Sequence, residues 1–294
     1  MQNILRTSLK TVELWLLGIS SSLIAINLAL VARKDQPTNF AINALFLLVI
    51  YSAIKDKRHK LNFNSGLLSS FIGLLCISLI FIISLFQINI GILSLFPPLM
   101  SGVGLALLAS GYRGLKQYYG ELLLLGFLTL RNILLMITID ISLLTAKLST
   151  AILWYTGFKV TRSGIIVSLP TGTIEVYSGC SGMELILDLL SLVVLFIFTF
   201  DIKVYQKFIL PLVATMIGFT INGFRVALMA ILVAQGDKQA FEYWHKGDGS
   251  LIFSVIASIF LCCYCWFLLS MNEREIKNNA NQITESNVLE RNPY

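Results

Sequence analysis

Eight stretches of the chain, near residues 12–32, 38–54, 67–86, 90–110, 121–141, 183–200, 208–234 and 250–270, stay apolar over about the length that crosses a bilayer. In hydrocarbon every backbone N–H and C=O must find its partner within the chain, and runs of this length do so as helices. The chain is therefore expected to be an all-α polytopic integral membrane protein of about eight transmembrane helices. Its composition agrees, with 56% hydrophobic residues, 13% charged residues and a mean hydropathy of +0.79. The second run is short, and the fourth carries Pro97 and Pro98, which predict a kink. The stretch 121–156 is too long for one crossing and divides into a span and an amphipathic segment, "SLLTAKLSTAILWYTG", expected to lie in the interface. The "ALVA" at 29–32 resembles a signal cleavage site, but the length of the first run favours a retained anchor.

A net charge of +6 could indicate nucleic acid, but here the basic residues sit in short loops between apolar runs, as membrane insertion requires. Nucleic-acid binding is therefore not expected. Placing the N-terminus in the cytoplasm gives the inside segments 13 Lys and Arg and the outside segments 6. Both termini are thus expected inside, with "KDKRHK" at 55–60 the clearest marker. Three regions follow: N-terminal membrane helices over 1–120, a functional core over 121–270, and a polar, disordered cytoplasmic tail over 271–294.

The outer segment 157–182, "GFKVTRSGIIVSLPTGTIEVYSGCSG", has a different texture. Alternation in "KVTRSGIIVSL" and "TIEVY", separated by "PTG", predicts a small hairpin that delivers the chain to Cys180 at the outer end of the sixth span. Unpaired N–H groups and the positive end of the helix dipole at such a position favour a thiolate. Arg225 comes 17 residues after Phe208, where the seventh span begins on the inside, so it stands about 26 Å up a core of about 30 Å. Asn222 is on the same helix face. His245 lies in the outer loop "EYWHKGDGS". A thiol, a guanidinium and an imidazole are thereby brought to one level of the membrane from three neighbouring segments.

Each has an ordinary alternative: a small residue in a turn, a snorkelling arginine, a solvated histidine. Their coincidence, under a topology assigned without them, points to a site. A thiolate there would attack a peptide carbonyl, the imidazole would move protons between thiol and leaving amine, and the guanidinium would stabilise the oxyanion. Gly179 and Gly182 allow tight turns beside the thiol, or are simply turn glycines before a helix. Glu184 and Asp188 fall one and two turns below Cys180 on one helix face, where a supporting role through Arg225 or Asn222 is expected. The other cysteines, Cys76, Cys262, Cys263 and Cys265, lie within apolar runs and read as small hydrophobes, with no metal-ligand spacing. The competing classes are a transporter or channel using Arg225, Glu184 and Asp188 as binding groups, and a membrane scaffold. A transporter is expected to show inverted repeats and broken helices, which the sequence lacks.

"CSGMELILDLLSL", then "NGFRVALMAILVA", then the histidine of "EYWHKGDGSLIF" resemble the exosortase and archaeosortase family of membrane cysteine transpeptidases, and "YSGCSG" looks most like its cyanobacterial exosortases. The motifs cover roughly residues 140–270. The resemblance implies Cys180 as nucleophile, Arg225 as oxyanion partner and His245 as general acid/base. It implies cleavage, at the outer face of the plasma (inner) membrane, of exported proteins that end in a Pro-Glu-Pro-type motif, a transmembrane helix and a basic tail. No metal or organic cofactor is implied, and membrane lipids are the remaining partner.

The charge distribution makes a direct prediction. Reporter fusions are expected to place residue 58 and the C-terminus in the cytoplasm and residues 165 and 245 outside; a cytoplasmic signal at 245 would keep His245 from Cys180.

Overall fold

In a computed structural model of the protein the described residues are 15–29, 37–86, 96–137, 140–245, 247 and 249–291. The N-terminal segment 1–14, residues 33–36 of the outer loop expected at 33–37, the outer loop expected at 87–89 and the start of the fourth run lie outside them. Five of the described helical stretches are long and apolar enough to cross a membrane: Thr38–Lys60, Leu67–Ser84, Pro97–Met136, Val204–Gln235 and Gly249–Asn278. Few of their residues are buried in the protein, and side chains such as Leu67, Phe71, Leu212 and Trp266 stand exposed, as lipid-facing residues do. The fold is that of an all-α polytopic membrane protein. The helices α1 (Trp15–Ala29) and α7 (Met183–Thr199) are also apolar but shorter than these five.

The chain clusters into two units, Met1–Ile139 with Val194–Thr199, and Asp140–Val193 with Phe200–Tyr294. In the first, α2 (Pro37–Lys57) packs Ile42, Phe46 and Ile50 against Leu124, Leu125 and Leu128 of α5 (Tyr119–Met136). Helices α3 (Leu67–Phe86) and α4 (Pro97–Gly114) cross at glycine. A Cβ on Gly73 would come within 2.7 Å of the Gly104 carbonyl oxygen, the close approach that membrane helices use when both sides lack a side chain. Pro97 does not kink this span but starts it, occupying the first turn where its missing N–H costs no hydrogen bond. The break comes instead at Gly111, whose φ of +67° interrupts α4 before a short 3₁₀ turn leads into α5. Lys57 reaches across to Glu121 at 2.7 Å, and the backbone N–H of Asn62 donates to Gln117 Oε1 at 2.8 Å. The loops around 60 and 115, both expected inside, are therefore in contact.

The second unit holds α6 (Ser142–Tyr155), a small sheet, α8 (Val204–Gln235), α9 (Lys238–His245) and α10 (Gly249–Arg291). The sheet is a three-stranded antiparallel meander, β1 (Thr161–Ser163), β2 (Ile166–Leu169) and β3 (Gly172–Glu175), where the sequence reading expects one hairpin. The first alternating run folds back on itself at Gly164, whose φ of +61° makes a turn the reading passed over. The sheet leans on the end of α8. A Cβ on Gly172 would lie 2.7 Å from the Ala234 backbone, and Thr171 Oγ1 donates to the Ala234 carbonyl at 2.7 Å.

Helix α6 also differs from expectation. It buries Ser142, Thr145, Ala146, Ser149 and Leu153 and exposes Leu143, Leu144, Trp154 and Tyr155, so its small and polar stripe faces protein and its apolar side faces outward. That is the reverse of an interfacial amphipathic helix in water, and it suits a helix packed against α8 in lipid. Asp140, just before it, is exposed. The Ser142 hydroxyl, and then the Ser142 N–H that donates to it at 2.9 Å, hold its carboxyl below the usual range. Finally, α10 does not end at Ser270 in a disordered tail but runs on as helix to Arg291. The sequence reading weighed polarity alone, whereas Lys203 pairs with Glu275, and Gln206 and Asn272 exchange amide hydrogen bonds of 3.0 and 2.9 Å. These bonds tie the extension to the start of α8.

The tightest of these approaches gives a prediction. Gly172→Ala must push the sheet off α8 and is expected to cost about 1–3 kcal/mol, whereas Gly126→Ala, with open space around it in α5, leaves stability unchanged or slightly raised. Thermal unfolding of the two variants in detergent checks the difference.

Candidate active site

The sequence "YSGCSG" folds as a turn rather than as the first turn of a helix. Tyr177 is extended, Ser178–Cys180 form a 3₁₀ turn closed by the Cys180 N–H on the Tyr177 carbonyl at 2.8 Å, and the chain reverses at Gly182 before α7 begins at Met183. Ser181 Oγ donates back to the Ser178 carbonyl at 2.6 Å. Gly182 has φ of +91°, and a Cβ there would come within 2.5 Å of the Asn222 amide, so both its conformation and its surroundings require glycine.

Non-helical backbone in an apolar setting needs donors from elsewhere. Asn222, fully buried on α8, donates from Nδ2 to the Cys180 carbonyl at 3.0 Å, and Thr145 on α6 donates from Oγ1 to the Ser181 carbonyl at 2.6 Å. Two helices thus fix successive carbonyls of the turn. Cys180 is held among Val176, Val226, Ala227 and Ala230, with 5% of its surface exposed.

His245 ends α9 and closes on this turn across 65 residues of sequence. Its Nε2 lies 3.3 Å from Cys180 Sγ and 2.9 Å from Tyr177 Oη. Phe241, one turn earlier on α9, stacks on the imidazole at 5.0 Å and fixes its plane. Arg225 donates from one terminal nitrogen to the His245 carbonyl at 2.7 Å, a cation on the last carbonyl of a helix, where the dipole also favours it. Its Nε is buried without a hydrogen-bond partner among the described residues, as is Asn222 Oδ1. The Tyr177 phenol is pushed up to about 12, first by burial and then by the neighbouring Cys180 sulfur, so it stays protonated.

Of the residues singled out in sequence, Cys180, His245, Arg225, Asn222, Gly179 and Gly182 come together here. Glu184 lies near enough to Arg225 to act on it electrostatically, without a hydrogen bond between them. Glu184 is exposed, Asp188 is buried at 5% exposure along α7, and Arg225 turns to the His245 carbonyl rather than to either carboxylate. Three contributors were missed. Thr145 had a signal, because Ser142, Thr145 and Ser149 recur at helical spacing within an apolar segment. Tyr177 was visible only as part of a tyrosine-containing approach, and Phe241 carried no signal at all.

The arrangement can polarise a thiol, since an imidazole nitrogen in contact with sulfur can take its proton, and the spare guanidinium N–H can donate to a developing negative charge. The model of one protein family, described as transmembrane exosortase, matches residues 35–262 of the chain. No curated protein and no solved structure matches it.

The shared dependence on Asn222 gives a prediction. Asn222→Leu leaves the buried Cys180 carbonyl without its donor, and Gly182→Ala expels the same amide from the opposite side; each is expected to lower stability by about 1–3 kcal/mol, and the double variant by less than the sum. Chemical denaturation of the three proteins in detergent checks it.

Proposed function

The chain belongs to the transmembrane exosortase family, and from that premise we propose that it is a cysteine transpeptidase or peptidase that removes the C-terminal sorting signal of exported proteins. The observation that carries this is the 3.3 Å contact between Cys180 Sγ and His245 Nε2, made by residues 65 apart on separate elements. Its substrates carry a Pro-Glu-Pro-type motif, a transmembrane helix and a basic tail, and present the motif at the outer face of the inner membrane. Both termini of the enzyme lie in the cytoplasm, and the catalytic core spans 121–270, after the N-terminal membrane helices of 1–120.

The steps follow from the residues. His245 takes the Cys180 proton, and the thiolate adds to the scissile carbonyl. The negative charge that develops on the carbonyl oxygen receives the Arg225 Nε–H, which has no other partner among the described residues. The C–N bond breaks as His245 returns its proton to the leaving amine, and the exported protein is left as a thioester on Cys180. An acceptor amine or water then gives its proton to His245 and attacks the thioester, releasing Cys180. Arg225 serves twice, since the same guanidinium holds the His245 carbonyl in place.

Co-expression with a tail-tagged candidate substrate tests the class: the tag is expected to be lost with the intact enzyme and retained with Cys180→Ala and with Cys180→Ser, whose hydroxyl is far less acidic. Arg225→Lys is expected to fall about 100-fold or more in processing rate, nearly to the level of Arg225→Ala, because an ammonium cannot hold the carbonyl and present a second donor in one plane. Processing by Cys180→Ser at the parent rate would overturn the nucleophile assignment.

A further inference from the structure

Tyr177 touches the catalytic pair without a part in the steps above. Its Oη lies 2.9 Å from His245 Nε2, the same nitrogen that Cys180 Sγ approaches at 3.3 Å. That nitrogen carries either one lone pair or one proton, so the two groups compete for it. We propose that Tyr177 is a positioning residue that donates its hydroxyl to His245 Nε2 in the resting protein and keeps the Cys180–His245 pair neutral until substrate displaces the ring. This rests on the role given to that pair above.

The phenol has the advantage in the competition, because it is nearer and an O–H is a stronger donor than an S–H. With its proton held to about pH 12 it remains a donor throughout the range in which the enzyme works. Gly179 supports the reading independently. It is not among the glycines with positive φ, so its backbone does not require the residue, but a Cβ there would come 2.7 Å from Tyr177 Cε2. The absent side chain makes room for the ring to fold back over the turn. The ring can also leave, since Tyr177 is 45% exposed and meets the imidazole edge-on, at 6.0 Å and 86°. His245 keeps its place when that happens, because Phe241 stacks on its ring and Arg225 holds its carbonyl.

The step that follows displacement is a proton transfer: the Cys180 S–H bond breaks, an N–H bond forms at Nε2, and thiolate and imidazolium remain. The charges that act on this cluster are Arg225 from α8, Glu184 from α7 and Glu242 on His245's own helix. All are common to the parent and to Tyr177→Phe, so their difference isolates the hydroxyl. Donated to the sulfur, which it also reaches, the Tyr177 hydroxyl would favour the thiolate; donated to Nε2, as proposed, it favours the protonated thiol. Removing its hydroxyl therefore lowers the apparent pKa of Cys180 and raises the thiolate fraction below that midpoint.

The test is the rate of iodoacetamide alkylation of Cys180 against pH, read by mass spectrometry of its peptide on the purified full-length chain in detergent. Tyr177→Phe is expected to react about threefold to tenfold faster near pH 6.5 and to move the midpoint down by about half to one unit, the size of one net hydrogen bond. Gly179→Ala, which displaces the ring without removing its hydroxyl, is expected to move in the same direction. The gain is expected to vanish when His245→Ala is added. An unchanged or slower Tyr177→Phe, or a gain that persists without His245, would overturn the proposal. Should His245→Ala alone alkylate as the parent does, the Cys180–His245 pair itself fails, and this inference falls with it.

Discussion

A stretch of non-helical backbone set among apolar side chains must find hydrogen-bond donors inside the protein, and the turn around Cys180 finds them on two helices. Asn222 of α8 holds the Cys180 carbonyl and Thr145 of α6 holds the Ser181 carbonyl. Each bond is needed because water cannot substitute for it at a fully buried site. The rest of the second unit is arranged around that need. Helix α6 turns its small and polar stripe inward, and Gly223 leaves α8 bare where Leu148 and Ile152 press against it. Gly182 leaves room for the Asn222 amide. These residues serve the placement of two carbonyl groups more than they serve the burial of apolar surface.

The thiol is then met from the other side by elements that the same logic fixes. Helix α8 ends at Gly236, whose φ of +74° turns the chain into α9. Arg225 reaches from the body of α8 to the last carbonyl of α9, so the arginine that ends near the sulfur is also the group that anchors the histidine. A single guanidinium therefore couples the position of the imidazole to the position of the expected oxyanion. This coupling helps hold residues on three elements to hydrogen-bonding distance.

Much of this was legible in the sequence because the signals were long or chemically rare. Runs of apolar residues give spans, and the cysteine outside them, an arginine near the outer end of a span and a histidine in an outer loop give a site. What escaped depended on short-range geometry. Pro97 starts a helix or kinks one according to where the preceding chain enters. Gly164 splits an alternating run into two strands through its positive φ, which alternation does not encode. The reach of Arg225 to a backbone carbonyl was invisible, since sequence identifies carboxylates as partners and leaves carbonyls unmarked. The helix beyond Ser270 escaped for a similar reason, because its support comes from Gln206 and Lys203, which lie 66 and 72 residues away from their partners.

The separation of 65 positions between Cys180 and His245 also sets an order of events during synthesis. The thiol is made first, and helices α7 and α8 must both be threaded into the membrane before the imidazole exists to meet it. His245 is followed closely by α10, which is long and apolar enough to cross a membrane, so the position of the histidine depends on that helix as well. Until the imidazole meets it, the cysteine is an ordinary thiol beside the insertion machinery and the other proteins passing through it. In a nascent chain of this design the sulfur and the imidazole nitrogen that lie 3.3 Å apart are therefore brought together late, only after α8 and α9 have been made.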